Sequence, residues 1–367
     1  MAGPRLEKLK LEKRKRKISN KTFTHTLNLL NQHLILPTAP NIVYPHELIN
    51  RCLLYLCTNQ EYAEGGMNNL SEQTEQSNNN RPRITPTGRT LRNRLQTINA
   101  KDAQTFLTEA NDQLLNDVKE LKTGIFKRKV TSAIDFTRND FYGDFEHTPK
   151  VRGGKYKNGT CYGYVYASIH MVEAGKRLTL YTLPADEFTE KVDVVEKLLE
   201  EAKNRGVHIN YLLLDREFHT DLVAALLNAL HIKYIMPAVK RVNVKEAICK
   251  YHRKEAPAIQ KNFPLGNAKF TLVIYEKPKE QLRKAKGVVD RYFVFATNLS
   301  EAQAQRLYSF VPQEYKRRWG IETGFRVQDA AEPKTTSTIY AYRLLLHLCS
   351  VLVYNVWQYI SSSECVL

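Results

Sequence analysis

Seven residues, INYLLLD at positions 209–215, constrain the fold more than any other stretch of this chain. The run is almost uninterrupted in apolar character, as a strand buried on both faces of a parallel sheet requires. It then stops on a carboxylate, Asp215. On either side the pattern switches between period two and period 3.6. KVTSAIDF, from Lys129, reads as a strand with Asp135 near its end, and residues 161–172 and 177–183 read as two more. Residues 188–204 form an amphipathic helix with Val192, Val195, Leu198 and Leu199 on its core side, closed by Gly206. Residues 220–230 are helical, and KYIMPAV (233–239) is another strand.

The resulting order, β-β-β-α-β-α-β, is a three-strand meander feeding parallel crossovers. It predicts an α/β fold with a ribonuclease H-like core, a mixed five-stranded sheet with flanking helices. From Lys240 to about Thr297 the pattern turns irregular and strand-rich (KFTLVIYE, RYFVFAT), which reads as a β-rich insertion before a helical tail resumes at Ser300. The expected divisions are a helical N-terminal domain over 1–125, a first part of the core over 126–240, the insertion over 241–298, and a helical C-terminal part over 299–367.

The N-terminal third is basic. The first twenty residues hold eight Lys/Arg and two acids, a solvated and partly disordered arm or a nucleic-acid contact. Residues 25–60 are largely helical, and 65–83, rich in Asn, Gln, Glu and Ser, read as a flexible linker. GRTLRNRLQTI (88–98) is a short amphipathic helix with Leu91, Leu95 and Ile98 on one side and Arg89, Arg92 and Arg94 on the others. It suits a recognition helix in a DNA groove or a plain surface helix. The whole chain carries 55 Lys+Arg against 38 Asp+Glu, a net +17, which favours a nucleic-acid partner. Six cysteines without a CxxC pair fit buried thiols in a reducing compartment. No signal peptide is evident in the charged first twenty residues, and 344–360 reads as a buried core helix, so a cytoplasmic protein without membrane association is expected.

Two carboxylates follow apolar strands, Asp135 and Asp215. Burying an unpaired charge is costly, so neither is there for packing. In the proposed order their strands are parallel neighbours and the two groups project side by side, where they repel unless a cation lies between them. A divalent metal answers that repulsion, and two ions about 3.5–4 Å apart would clamp the attacking and leaving oxygens of a phosphoryl transfer. A third carboxylate lies in EYKRRWGIETGFRVQD. At about 100° per helical residue, Tyr315, Arg318, Glu322 and Arg326 share one stripe. Such a stripe suits a metal and a phosphate held by guanidinium forks, or a solvated face of Glu–Arg pairs.

AIDFTRNDFYG, YLLLDREF followed by YIMP, and YKRRWGIETGFR together resemble the three blocks of DDE transposases from prokaryotic insertion sequences. The similarity is to the IS-four superfamily, in its archaeal halobacterial-type (ISH-three-like) branch with a Tyr-x2-Arg-x3-Glu-x6-Lys signature. It covers roughly 130–357. The resemblance implies metal-dependent DNA strand cleavage and strand transfer of the cut-and-paste type at the element's ends. It also implies Asp135, Asp215 and Glu322 as catalytic metal ligands for Mg2+ or Mn2+, with Tyr315 and Arg318 at the DNA backbone. The implied partners are double-stranded DNA, both element ends and target, and a second copy of the chain in a homodimeric synaptic complex. The signature lysine falls at Asp329, so its contact passes to Arg326 or Lys334, or is absent.

Beside the core, KVRGGKYKNGT offers Lys150, Arg152, Lys155 and Lys157 as phosphate contacts or as an exposed basic loop. Trp319 and Phe325 read as helix-packing residues, with a DNA-distorting wedge the alternative for Trp319. Glu217, Asp140 and Asp144 are second choices as ligands. No phosphate loop, HExxH pair or histidine ligand spacing is present. The remaining alternatives are a ribonuclease H-like nuclease without strand transfer and a DNA-binding derivative that has lost catalysis.

Overall fold

The computed structural model describes residues 4–37, 43–77, 85–121, 125–186, 188–299 and 301–364. Five helices come first: α1 (Pro4–His33), α2 (His46–Asn59), α3 (Ala63–Ser77), α4 (Gly88–Leu95) and α5 (Ala100–Glu120). Strands β1 (Val130–Asp140), β2 (Arg152–Lys157), β3 (Thr160–Glu173) and β4 (Lys176–Ala185) follow. Next are α6 (Lys191–Asn204), β5 (Ile209–Leu214), α7 (Asp221–Ala229) and β6 (Tyr234–Pro237). The insertion comprises α8 (Val242–His252), β7 (Ile259–Leu265), β8 (Ala268–Glu276), α9 (Lys279–Leu282) and β9 (Tyr292–Thr297). Helices α10 (Glu301–Tyr315), α11 (Trp319–Asp329) and α12 (Tyr340–Glu364) complete the order. The chain divides into two compact units: a helical unit of Met1–Gly124, Arg138–Val165 and Thr323–Leu367, and a sheet unit of Ile125–Thr137 and Tyr166–Glu322.

In the sheet unit the strands run in the order β4-β3-β1-β5-β6-β9-β8-β7. β1 pairs parallel with β5, and β5 parallel with β6. The short YIMP strand, β6, has a free edge there, and β9 satisfies it by antiparallel pairing, bringing β8 and then β7 into the same sheet. The insertion thus extends the core sheet and opens on a helix that its sequence pattern did not announce. Leu212, Leu213 and Leu214 of β5 are fully buried, as are Ala133 and Ile134 beside them. Each such leucine contributes about 2 kcal/mol. Helix α6 packs on β4 and α7 on β8, with Val194, Val195, Leu198, Val223 and Leu227 buried.

In the helical unit α12 packs against α1 and α5, and buried Asn355 donates to Asn111 of α5 at 2.6 Å. α12 is long and apolar enough to cross a membrane, but 72% of its most apolar window is buried within the fold. It is a core helix, as its sequence predicts. Two expectations for this unit are corrected. The basic arm is the first half of α1, a continuous helix of good helix formers with no glycine up to His33, exposed over nearly all of residues 7–21. The supposed linker from Gly65 is helical through Ser77, while 78–84 lie outside the described residues. Burial of Ala63, Met67 and Ser71, one turn apart, overrides the polar composition. Glycine lets α3 sit close: a Cβ on Gly66 would lie 2.2 Å from Leu56 Cδ2, and one on Gly88 would lie 2.4 Å from the Glu64 backbone. The basic KVRGGKYKNGT stretch is likewise not a loop. Its β2 pairs antiparallel with β3.

Burial holds His170 of β3 neutral, with its pKa lowered to about 3. An unfolded imidazole titrates near 6.5. As pH falls below that value the unfolded state takes up the proton first, so stability fully present above pH 6.5 is lost toward the folded pKa. By pH 4 the loss is on the order of 3 kcal/mol. His170→Gln should shrink the decline of the urea-unfolding free energy between pH 6.5 and 4, leaving the part due to His219, which burial lowers to about 4. A decline unchanged by the substitution contradicts this account.

Candidate active site

The register of the central parallel pair builds the site. Val130, Thr131, Ser132, Ala133 and Ile134 run alongside β5, and the last pair is Ile134 with Leu214. One residue further on each strand come Asp135 and Asp215, abreast. Asp135 is nevertheless not at a strand end. β1 stays extended to Asp140, because the polar, half-buried residues beyond it keep strand geometry without an apolar signal. Asp215 is half-buried and starts the 3-10 turn Arg216–Phe218. Its carboxylate has no hydrogen-bond or ion-pair partner among the described residues.

Asp135 sits in a different setting, its side chain 13% exposed. Oδ1 accepts the Phe136 N–H at 2.9 Å, and Oδ2 accepts Arg318 Nη1 at 2.8 Å. Burial pushes its pKa up to about 7 against the pull of Arg318 and the Phe136 amide, and Asp215 and Glu217 add repulsion.

The signature segment is not one continuous helix. α10 ends at Tyr315, a 3-10 turn spans Lys316–Arg318, and α11 starts at Trp319. The stripe survives the break through Arg318, which is 8% exposed. Nη1 bonds Asp135 and Nη2 bonds Glu322, whose side chain is half-exposed. Its Cζ lies 5.7 Å from the Tyr315 ring centre. Burial opposes the Arg318 charge, but Tyr315, Asp135, Asp215 and Glu322 together more than offset it and raise its pKa. Burial likewise raises the Tyr315 phenol, and its ring packs edge-on against Phe295 at 5.3 Å. The solvated-face reading of the stripe therefore fails for Arg318, which bridges two of the three carboxylates from a buried position.

Sequence reasoning missed the neighbour that fixes this turn. Arg317 Nη1 reaches Glu173 at 3.1 Å and Glu314 at 3.2 Å. Thr131 closes the network, its N–H donating to Glu173 at 2.7 Å and its hydroxyl to Glu314 at 2.8 Å. The start of β1, the end of β3 and the end of α10 are thereby tied together beneath Arg318. The only signal was a glutamate one residue before Tyr315, in a segment already crowded with charge.

Other candidates are spread out. Glu217 is paired with Lys191 at 3.5 Å. In the helical unit Asp140 pairs with Arg138 at 2.8 Å, and Asp144 with His147 at 2.6 Å. Arg89 is exposed, while Arg92 is held by Glu64 at 2.8 Å. Lys155 and Lys157 are exposed on β2 with Arg152 half-buried, and Arg326 and Lys334 are exposed. Trp319 does not pack as expected but is 68% exposed, whereas Phe325 is buried. Among the described residues no three of His, Cys, Asp and Glu form a ready metal-ligand group. The donor set at Asp135, Asp215 and Glu322 is all carboxylate oxygen, the chemistry a hard divalent cation takes, and unpaired Asp215 beside repelled Asp135 fits such a cation.

A family model of the transposase DDE domain matches residues 127–328. The chain belongs to that family, whose members are polynucleotidyl-transferase-type enzymes of DNA transposition. Among solved structures, a cryo-EM structure of a piggyBac transposase synaptic complex with hairpin DNA aligns at TM-score 0.45 and 11% identity, covering 90% of this chain and 78% of that one. No curated protein matches the sequence.

Arg317→Ala should cost about 2 kcal/mol in urea unfolding, since it strands Glu314 and Glu173 in poorly solvated positions. A variant as stable as the parent would show that the network does not hold the turn.

Proposed function

We propose that this chain is a transposase catalysing metal-dependent DNA strand cleavage and strand transfer, of the cut-and-paste type, at the ends of an insertion sequence. The observation that carries this reading is the pair of carboxylates abreast one residue past the last β1–β5 pair, joined through Arg318 to Glu322 of the signature segment. The strand order of the first five core strands supports a ribonuclease H-like core. Asp135, Asp215 and Glu322 are the ligands of two Mg2+ or Mn2+ ions. Bound there, the metal supplies an activated nucleophile and charge stabilisation at phosphorus.

The chain's own residues do the rest. Asp135 and Asp215 fix the donor geometry through strand register. Arg318 holds Asp135 and Glu322 at a set separation and keeps positive charge where phosphoryl charge builds up. Tyr315 walls the guanidinium on one side. The turn that carries Arg318, held by Arg317, keeps these groups from drifting. DNA reaches the site as a duplex guided by basic residues, with α1, the α4 arginines Arg89 and Arg92, and Arg152, Lys155, Lys157, Arg326 and Lys334 as backbone contacts. A second copy of the chain completes a synaptic dimer, and the work is cytoplasmic.

Asp135→Asn, Asp215→Asn and Glu322→Gln should each abolish cleavage of duplexes carrying the element ends while leaving binding intact, and chelator should abolish it in the parent. Arg318→Lys keeps charge but loses the planar fork. It should slow cleavage with no change in metal requirement. Full cleavage without divalent metal, or an active Glu322→Gln protein, removes the reading. Cleavage without joining of the cut ends to a target would leave a nuclease instead.

The N-terminal contact is tested in the whole chain, because α12 packs against α1 and α5. Replacing Lys13, Arg14, Lys15 and Arg16 by Ala should lower duplex affinity and flatten its dependence on salt, as fewer counterions are released. Unchanged affinity at every salt concentration would exclude the arm.

A further inference from the structure

Net charge is unevenly placed along the chain. Residues 241–298 hold 13 Lys+Arg and 5 Asp+Glu, so +8 of the total +17 falls within these 58 residues. Two ion pairs form within the segment, Arg253 with Glu255 at 2.7 Å and Arg291 with Glu276 at 3.3 Å. Arg241, Lys245 and Lys250 are exposed and make no direct ion pair among the described residues, although Lys250 is close enough to Glu255 to help lower its pKa. Lys245, Lys250 and Arg253 line a shallow groove of about 320 Å³ along α8, with Glu246 the one acid among them and Val242 exposed at its head.

This surface starts beside the carboxylates. Arg216 is exposed immediately after Asp215. Lys240 is anchored by the carbonyls of Val289 and Tyr292 at 2.7 and 2.9 Å, and the next residue, Arg241, caps α8. Lys277 is held over the Phe293 ring at 5.1 Å. Burial and then Lys277 lower the Lys240 pKa, with Arg216 adding to the effect. Cations anchored this close, with Asp290 the one acid acting on Lys240, store repulsion that a polyanion relieves.

We infer that the insertion, from Arg216, Lys240 and Lys277 onto the α8 groove, is a second binding surface for the phosphate backbone of duplex DNA, independent of α1. The exposed Arg241, Lys245 and Lys250 follow one another along α8, and their charge complements the dense row of phosphates on that partner. None of the residues that line the groove is aromatic, and Val242 is its one large exposed apolar side chain, too little for a membrane or a folded protein partner. The inference rests on the transposase reading, because it assumes that the polyanion is DNA.

The test measures duplex affinity of the full chain against salt, with Lys245→Ala/Lys250→Ala beside the parent. Each lost phosphate contact should reduce the slope of log K against log salt by about 0.9, so the double variant should lose about 2. Lys245→Arg/Lys250→Arg should keep the parent slope, and a thermal melt checks that both fold. If the Ala variant melts early, Lys250→Ala alone should lose about 1. A parent that binds DNA with variants of unaltered slope overturns this surface but not the transposase reading. A parent that binds no duplex, or binds anionic vesicles equally well, overturns both.

Discussion

A single guanidinium carries the charge balance of this protein's most exacting region. Asp135 is nearly buried and stands abreast of Asp215, an arrangement that repulsion and desolvation both oppose. Arg318 makes it tolerable by bonding Asp135 and Glu322 at once from a position almost closed to solvent. Taking that arginine away would strand buried carboxylate charge, the costly case among ion-pair losses. The elements around it are consistent with this priority. The turn that carries Arg318 is braced by Arg317, Glu173, Glu314 and Thr131, a network with no contact to the reacting groups.

The core was legible because parallel strands buried on both faces must be written in apolar residues. INYLLL and the helices around it therefore declared the order of the sheet. Asp215 was legible for the same reason, as a charge where apolar residues end. Asp135 was half-legible: its identity stood out, but the strand continues past it in polar residues that carry no periodic signal. Helix α3 was invisible because its stability comes from three buried positions and two glycine contacts with other helices, none of which composition records. The Arg317 network was hidden by proximity to a more conspicuous arginine. The helical unit is assembled from three separate stretches of chain, so a linear division could not delimit it.

Charge tells a related story. Two segments, the first half of α1 and the insertion, hold most of the excess of Lys and Arg. The core sheet between them is close to balanced, as a packed α/β core needs to be. Basic character has been added at the periphery of each unit, where exposure makes it cheap.

The pairing of Ile134 with Leu214 also has an evolutionary bearing. Side chains alternate faces along a strand, so moving β1 by one residue against β5 would send each side chain of the fully buried stretch 130–134 to the opposite face of the sheet and mispack both layers. It would also part the two aspartates. A length change within residues 130–134 would thus damage the hydrophobic interior and the acidic pair together, leaving no intermediate that folds but merely works poorly. The β strands of the insertion are appended at the far side of β6, where growth leaves that register untouched.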